Sequence, residues 1–529
     1  MSRIFNWKFD YPSQRMPVLA DNVVATSHPL ASQAGLQMIK NGGNAVDGAI
    51  AAAIVLTVVE PTMNGIGSDA FAILWDGKKI IGLNASGRSP NSWTPEYFSK
   101  YDTMPVLGWD SITVPGAVSA WVELSKKYGQ LPFHELFEPA INYAKNGFLV
   151  SPMTAEVWKI LSLTYKKKFP NFIKAFLPNG KPPEPGQLFK FPAQAKTLDL
   201  IAKTEGEAFY SGNLAKKIVF HAEENGGLLT LEDLEKHKPT WEKTLTIDYK
   251  GYKLHEIPPN SQGLAALIML GILKNFDISK LSMDSSELLH LEIESMKLAF
   301  IDAHRYISDP KSLEFDPNYL LEQKYLSQRA ALINPKFAKV YDFGSLQQSD
   351  TVYLTTADAN GLMVSYIQSN FWGFGSGIVI PDTGISLQNR GYAFTLEEGH
   401  PNQVGPNKRP YHTIIPAFVT KNEKPLMSFG VMGGSMQPQG QVQLMVRIFD
   451  YGQNPQTAID APRWRVQTGL EVSFESEFNE NLLNNLKILG HNVIESHYFD
   501  FGGAQLIYKL DNGYLGASDW RKDGQAVGF

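Results

Sequence analysis

The chain of 529 residues contains no cysteine. This absence excludes disulfide bonds, thiolate ligands for a metal ion and a cysteine nucleophile in one step. It does not decide the compartment, because exported proteins can also lack cysteine.

The sequence also lacks a long hydrophobic run and a dense cluster of basic residues. Its longest apolar stretch, residues 49–59, is about half as long as a membrane-spanning helix must be. Residues 1–10 have no apolar core of the kind that a secretory signal requires. Lysine and arginine number 48 against 53 acidic residues, which gives a net charge of −5. We therefore expect a cytoplasmic protein that binds neither a membrane nor nucleic acid.

Several short motifs of enzymes are absent as well. No serine stands in a Gly-x-Ser-x-Gly turn, no His-Glu-x-x-His pair occurs, and no phosphate loop ends in Gly-Lys-Ser or Gly-Lys-Thr. Residues 373–377 (GFGSG) lack the third glycine of a dinucleotide fingerprint. The eleven histidines are scattered rather than spaced as metal ligands. The sequence therefore predicts neither a metal nor a cofactor.

The most informative feature that is present is a predicted β-hairpin over residues 351–369. Two runs of β-branched and aromatic residues are joined by the turn sequence DANG at 358–361. Thr351 stands at the start of the first strand. If the chain were cut before it, Thr351 would carry both a hydroxyl nucleophile and a free α-amine that could serve as its base. A threonine that opens a strand is usually structural, so this pattern alone proves little.

Further motifs follow in a fixed order. They are FWGFGSG at 371–377, VGPNKRP at 404–410, GGS at 433–435 and DAPR at 460–463, preceded upstream by NGGNAVDGA at 41–49 and PPNSQGL at 258–264. Together with the hairpin, this series resembles the γ-glutamyltransferase (glutathione hydrolase) family of N-terminal-nucleophile hydrolases over nearly the whole chain.

The resemblance implies an α+β fold, a four-layer αββα sandwich formed by two chains from one precursor. The large chain would be residues 1–350 and the small chain residues 351–529, paired as a heterodimer. It also implies self-cleavage between Asp350 and Thr351, after which Thr351 forms a covalent acyl-enzyme. The substrate would be a small-molecule amide or γ-glutamyl compound.

The same resemblance assigns the other catalytic positions. Ser369 occupies the place of a second threonine that bonds to the nucleophile, and it keeps the hydroxyl. Gly433 and Gly434 match the glycine pair whose backbone N–H groups bind the oxyanion. The alternatives are an ordinary serine at the end of a strand and a plain glycine turn.

The acyl-binding positions depart from the family pattern. Phe371 stands where the family has asparagine, Arg390 where it has glutamine, and Ala393 where it has aspartate. His412 and Thr413 replace a pair of serines. Loss of the carboxylate at position 393 removes the partner of an α-ammonium, while Arg390 and His412 favour anionic groups. Alternatively, Arg390 and His412 belong to structural ion pairs.

The arginine that binds the α-carboxylate in the family aligns with Ser86. Arg88 lies two residues further on and is the candidate to replace it. The altered pocket resembles the cephalosporin-acylase-like and oxamate-hydrolase-like branches of the family.

Three functions stay open at this point. The first is a γ-glutamyltransferase or glutathione hydrolase, as the family name implies. The second is an amidohydrolase of another small acidic acyl group, of glutaryl or oxamyl type. The third is an uncleaved, non-enzymatic binding protein.

The local pattern also predicts individual elements. We expect helices at 44–59, 116–128, 264–274, 285–304, 437–451 and 477–489, and a strand at 70–75. Residues 169–192, rich in proline and lysine, are predicted to be an exposed loop. Helical periodicity is absent after residue 306 until the hairpin, and residues 337–350 are predicted to be a mobile linker before the cleavage point.

Overall fold

The structure is a computed structural model that describes residues 14–341 and 350–529. Two seven-stranded sheets face each other, and helices cover the outer face of each. This is the predicted four-layer αββα sandwich, so the expected fold class is confirmed.

The described residues form nineteen strands. In chain order they are β1 Val18–Ala20, β2 Val23–Thr26, β3 Asp69–Trp75, β4 Ile80–Asn84, β5 Phe148–Leu149, β6 Leu188–Phe189, β7 Thr240–Glu242, β8 Leu245–Tyr249, β9 Tyr252–Glu256, β10 Asp350–Ala357, β11 Met363–Phe371, β12 Ala417–Lys421, β13 Lys424–Val431, β14 Trp464–Val466, β15 Glu471–Phe474, β16 Asn492–Glu495, β17 Ala504–Lys509, β18 Tyr514–Ser518 and β19 Gln525–Gly528.

Sheet I has the strand order β1-β18-β17-β13-β12-β9-β8, and sheet II has the order β19-β2-β10-β11-β3-β4-β7. All neighbouring strands in both sheets are antiparallel. Each sheet contains strands from before and after residue 350. The two predicted chains, 1–350 and 351–529, would therefore share both sheets.

Seventeen α-helices lie within the described ranges. They are α1 Pro29–Lys40, α2 Ala45–Val59, α3 Pro95–Phe98, α4 Ala117–Tyr128, α5 Glu138–Asn146, α6 Pro152–Tyr165, α7 Pro170–Phe176, α8 Pro192–Lys203, α9 Glu207–Tyr210, α10 Asn213–Glu224, α11 Leu231–Glu235, α12 Gly263–Leu273, α13 Ser286–Tyr306, α14 Gln323–Ala330, α15 Met436–Phe449, α16 Pro455–Asp460 and α17 Glu480–Ile488. Each of the six predicted helices overlaps one of these.

The core has three apolar layers, as a four-layer sandwich requires. Helices α1 and α2 pack on sheet II, and α12 and α15 pack on sheet I. The middle layer fills the space between the sheets; it consists of Val23, Phe71, Ile73, Ile257, Tyr353, Ala357, Met363, Ile367, Ile414, Phe418, Met432, Ile507 and Tyr514. The predicted hairpin β10–β11 lies in the centre of sheet II, against this layer.

Helix α2 shows how the sequence produces a buried element. The Asn44 side chain accepts the N–H groups of Val46 and Asp47, and the Asp47 carboxylate accepts the Asn44 N–H, which forms a capping box. Every residue of α2 is buried, so its run of alanine, valine and isoleucine covers the central strands of sheet II. Among the described residues, no helix combines the length and the apolar character needed to cross a bilayer.

The prediction of an exposed loop at 169–192 is wrong. The segment contains α7 and β6, and Phe172 and Phe176 of α7 are buried against Phe374. The proline at 170 occupies the first turn of a helix, where proline is tolerated, rather than a loop.

The region after residue 306 is also more ordered than predicted, because α14 lies within it. Of the predicted linker, residues 342–349 lie outside the described residues. At its start, the Ala338 N–H donates to the Leu489 carbonyl at 2.6 Å, and the Lys339 N–H donates to Glu294 Oε2 at 3.2 Å.

Candidate active site

Thr351, the predicted nucleophile, is the second residue of β10 and its side chain is buried between the two sheets. The pairing of β10 with β11 is irregular here: Asp350 faces Phe371 and Val352 faces Gln368. Two residues of β11 therefore stand opposite Thr351, as in a β-bulge. Bulges often redirect a side chain next to an active site, and this one places the Thr351 hydroxyl 3.4 Å from Ser369 Oγ.

Ser369 receives several hydrogen bonds on its hydroxyl oxygen. The Thr351 hydroxyl donates to it, as do the Phe371 N–H at 2.7 Å and Arg390 Nη2 at 3.3 Å. Phe371 is held at φ 76°, a left-handed conformation that is strained for a bulky side chain. Strain of this kind persists where the surrounding structure demands it, and here it accompanies the short bond to Ser369.

Arg390 lies fully buried next to these hydroxyls, in a short 3-10 turn. Its Nη1 donates to Thr413 Oγ1 at 2.7 Å, and its guanidinium carbon lies 4.1 Å from the centre of the Phe371 ring. Within the described residues, Nε has no hydrogen-bond partner. Burial lowers the pKa of Arg390 to about 9, which the nearby Asp69 carboxylate opposes. Arg390 is therefore a cation at neutral pH.

His412 lies on the other side of this group, with Nε2 3.2 Å from Asp69 Oδ2. Burial and the neighbouring cations Arg390 and Arg409 hold the pKa of His412 well below its usual value, so the ring is neutral. Burial raises the pKa of Asp69 to about 7 against the opposing effect of Arg390. The sequence suggests a positive charge on both Arg390 and His412, but in the structure only Arg390 of these two carries one.

Arg88 is placed differently from the other predicted pocket residues. Its Nη1 donates to Asp309 Oδ2 at 2.5 Å and to the Asn407 carbonyl at 3.2 Å, and about a quarter of its side chain is exposed. Among the described contacts, none joins Arg88 to Thr351 or Arg390. Ser86, at the aligned arginine position, bonds to Asn84.

Gly433 and Gly434 connect β13 to α15 with φ values of 109° and 60°, which favour glycine. The Gly433 carbonyl accepts the Met436 N–H at 2.9 Å, so the peptide plane that carries the Gly434 N–H is fixed. The carbonyl of Gly434 accepts Gln262 Nε2 at 2.8 Å. The same Gln262 amide also bonds to the Thr413 carbonyl.

Gly502 packs closely against the backbone that precedes the glycine pair. Its φ is 71°, and a Cβ built on it would lie 1.9 Å from the Met432 carbonyl oxygen. That carbonyl belongs to the peptide that carries the Gly433 N–H. The Met432 N–H in turn donates to the Gly503 carbonyl at 2.9 Å.

Sequence reasoning missed Gln437. Its Nε2 lies 3.3 Å from Thr351 Oγ1, and its backbone N–H donates to the Gly434 carbonyl at 3.1 Å. Gln437 therefore links the predicted nucleophile to the glycine pair. A signal was available: residues 436–443 (MQPQGQVQ) place four glutamines in one helix, an unusual number of polar residues for a segment that is buried throughout.

Among the described residues, His290, Glu294 and His491 place one ligand atom each within 4.8 Å of one another, a grouping that the spacing of the histidines in the sequence does not indicate. The residues do not fit a metal ion. His290 Nδ1 and His491 Nε2 are 2.8 Å apart, a hydrogen-bond distance and too short for two ligands of one zinc ion. Glu294 is already paired with the buried Lys297.

Comparison with known proteins agrees with this geometry. Residues 31–529 match the family model described as gamma-glutamyltranspeptidase. A glutathione hydrolase-like YwrD proenzyme from Bacillus subtilis is 38% identical over 524 residues, which cover 96% of this chain and 98% of the relative. An oxamate amidohydrolase proenzyme from Klebsiella pneumoniae is 34% identical, with coverage of 97% and 99%.

Among solved structures, the cephalosporin acylase from Bacillus halodurans superimposes with a TM-score of 0.95 and 44% identity, over 100% of this chain and 99% of that one. Similarity of sequence and of fold thus extends from end to end, and it includes relatives of both branches that the altered pocket resembles. The chain belongs to the gamma-glutamyltranspeptidase family.

Proposed function

We propose that this protein is a self-processing amidohydrolase whose nucleophile is Thr351 and whose acyl pocket takes a small acyl group that ends in a carboxylate. The observation that carries the proposal is the buried guanidinium of Arg390. It bonds to Ser369, which in turn accepts the Thr351 hydroxyl. A fixed cation thus lies two hydrogen bonds from the nucleophilic oxygen.

Self-processing would proceed within the continuous chain. Thr351 Oγ attacks the carbonyl carbon of Asp350, the C–N bond breaks, and the hydroxyl proton passes to the Thr351 nitrogen. Water then hydrolyses the resulting ester, which leaves a free α-amine at Thr351. The burial of Thr351 and the irregular pairing at Asp350 fit this step, since the hydroxyl is shielded from bulk water and the strand pairing is irregular at the bond to be cut.

In turnover, the freed α-amine would accept the hydroxyl proton while Oγ attacks the substrate amide. The N–H groups of Gly433 and Gly434 would bind the oxyanion, and the leaving amine would depart with the proton. Water then releases the acid product from the acyl-enzyme. No cofactor takes part in this scheme.

Charge favours an acyl group without an α-amine. An α-ammonium would lie near Arg390, while Ala393 offers no carboxylate to pair with it. An ammonium left buried and unpaired is strongly unfavourable. The names of the relatives agree, because oxamate amidohydrolase and cephalosporin acylase both denote hydrolysis of amides other than γ-glutamyl compounds.

Hydrolysis of γ-glutamyl compounds is the second candidate, and Asp69 favours it. This carboxylate is buried and close to Arg390, so an α-ammonium that reached it would find a partner of opposite charge. The glutathione hydrolase-like relative from Bacillus subtilis supports the same candidate.

Two measurements test the proposal. Intact-mass spectrometry of the purified protein should show the fragments 1–350 and 351–529, and Thr351→Ala should remain a single inactive chain. A panel of glutaryl, oxamyl and γ-glutamyl amides should then show turnover of the first two at least equal to that of the third. An uncut wild-type chain without activity would favour the non-enzymatic alternative. Strong glutathione hydrolysis without glutaryl or oxamyl turnover would favour the second candidate.

A further inference from the structure

The side chain of Gln437 contacts the oxygen on which the proposed chemistry depends. Gln437 is fully buried in the first turn of α15, and its Nε2 lies 3.3 Å from Thr351 Oγ1. Its Oε1 accepts the backbone N–H of Ile415 at 2.9 Å.

The bond to Ile415 fixes which end of the amide faces Thr351. A flipped amide would direct NH₂ at the Ile415 N–H, so that two donors would oppose each other in a buried site. Gln437 is therefore a donor towards Thr351 rather than an acceptor.

The other bonds of Thr351 fit a donor at this position. Its hydroxyl proton points to Ser369 Oγ, which also receives the Phe371 N–H and Arg390 Nη2. Thr351, Phe371 and Arg390 thus all direct hydrogen bonds at Ser369 Oγ. In this arrangement Thr351 Oγ gives its proton to Ser369 and accepts one from Gln437.

The remaining glutamines of α15 serve a different purpose. Among the described contacts, their amides bond to backbone groups: Gln439 to Ser435 and Val466, Gln441 to Ile415, and Gln443 to Trp464. Gln437 differs because its amide also reaches a reactive side chain. A purely structural role for the glutamine row therefore does not account for the direction of its Nε2.

We propose that Gln437 is a catalytic residue that donates a hydrogen bond to Thr351 Oγ as negative charge develops there. This rests on the proposed nucleophile. When Oγ loses its proton to attack, the Gln437 N–H stabilises the forming anion. When the acyl-enzyme is hydrolysed, the C–O bond breaks and Oγ leaves with the electron pair, and the same N–H stabilises it until it regains a proton.

Gln437 thus acts in self-cleavage as well as in turnover, because Oγ attacks in both. The glycine pair would bind the oxygen of the substrate carbonyl, whereas Gln437 serves the oxygen of the nucleophile. The two sets of donors are adjacent, since the Gln437 backbone N–H bonds to the Gly434 carbonyl.

The first test compares Gln437→Met with Gln441→Met. Both remove one buried amide from α15 and one bond to Ile415, but Gln441 bonds to the Ile415 carbonyl and has no described contact with Thr351. We expect Gln437→Met to slow self-cleavage, followed on gels, and to lower kcat about 10- to 100-fold, with KM within about threefold of wild type. Gln441→Met should stay within about threefold in all three quantities.

A second variant, Gln437→Glu, keeps the shape and the bond to Ile415. As an anion it offers Thr351 an acceptor, and when protonated it becomes a donor again. The ratio of wild-type to variant self-cleavage rates should therefore fall as the pH is lowered through the titration of the introduced carboxyl group. A merely structural role would leave this ratio constant with pH.

Equal rates for Gln437→Met and Gln441→Met, or a constant ratio for Gln437→Glu, would overturn the role of Gln437. Failure of the proposed function has a different signature, because wild type would then be uncut and as inactive as Thr351→Ala. If Gln437→Met does not fold, the pH dependence of Gln437→Glu decides the question alone.

Discussion

Replacement of Gly502 by alanine is predicted to abolish most activity although Gly502 takes no part in the chemistry. The added Cβ would lie 1.9 Å from the Met432 carbonyl oxygen, well inside the closest approach of such atoms. Either the 432–433 peptide or the loop at 502 must therefore move by about 1 Å or more, and the 432–433 peptide carries the Gly433 N–H. A misplacement of this size reduces rates by roughly 100-fold.

Gly502→Ala should also lower stability for a separate reason. At φ 71° and ψ −144°, Gly502 lies in a region that essentially only glycine adopts, so a residue with a Cβ is unfavourable there by about 1–3 kcal/mol. Gly452→Ala is the matched control, since Gly452 has a φ of 66° and no atom within 4 Å of the added Cβ. Like Gly502 it has a positive φ, but its added Cβ would meet no clash.

The assay measures urea unfolding, self-cleavage and kcat on the preferred amide for both variants. Gly452→Ala should be destabilised by about 1–2 kcal/mol and keep its kcat. Gly502→Ala should be at least as destabilised and lose about 100-fold in kcat. If the folded Gly502→Ala protein is as active as Gly452→Ala, the inference that Gly502 holds the Gly433 peptide in place is refuted.

Three further predictions concern charge. Arg390→Gln combined with Ala393→Asp should shift the kcat/KM ratio between glutaryl and γ-glutamyl amides towards the γ-glutamyl amide by roughly 100-fold, and an unchanged ratio would contradict the role of Arg390 in acyl selection. Because burial raises the pKa of Asp69 to about 7, the folded state holds a proton that the unfolded state releases near pH 4, and this group weakens folding as the pH rises from 4 to 7. In urea titrations at several pH values, the free energy of unfolding of Asp69→Asn should therefore decline less steeply with pH than that of wild type. Parallel curves would contradict this prediction. Glu294→Leu should cost about 3–5 kcal/mol by leaving Lys297 buried and unpaired, and Lys297→Met in the same chain should recover most of that loss in thermal or urea unfolding.

Local signals in the sequence were sufficient for much of the fold. Asn44 and Asp47 mark the start of α2 because both caps lie within one turn, and the turn at 358–361 marks the β10–β11 hairpin. Elements fixed by distant contacts were not predictable in this way. The prolines and lysines of 169–192 predict a loop, whereas α7 is stabilised by burial of its phenylalanines against Phe374, about two hundred positions away.

The contacts of the candidate site likewise differ in whether the local sequence can predict them. Thr351 and Ser369 are neighbours across one hairpin, so their contact follows from strand pairing. Gln437 reaches Thr351 from a helix 86 residues away; the four glutamines at 436–443 mark this helix as unusual, but they do not indicate which residue Gln437 contacts. The sequence does not predict that His412 is neutral either, because its neutrality depends on Arg390, Arg409 and complete burial.

The interleaving of the two sheets has a consequence for how the protein can be made. Both sheets contain strands from either side of residue 350, paired with one another, so the cut products would remain joined by backbone hydrogen bonds. Before the cut, folding is a first-order process within one molecule. After it, recovery from complete denaturation requires two chains to meet, so its yield should fall on dilution. Assembly independent of dilution would thus be possible only before cleavage, while the two parts still belong to one chain.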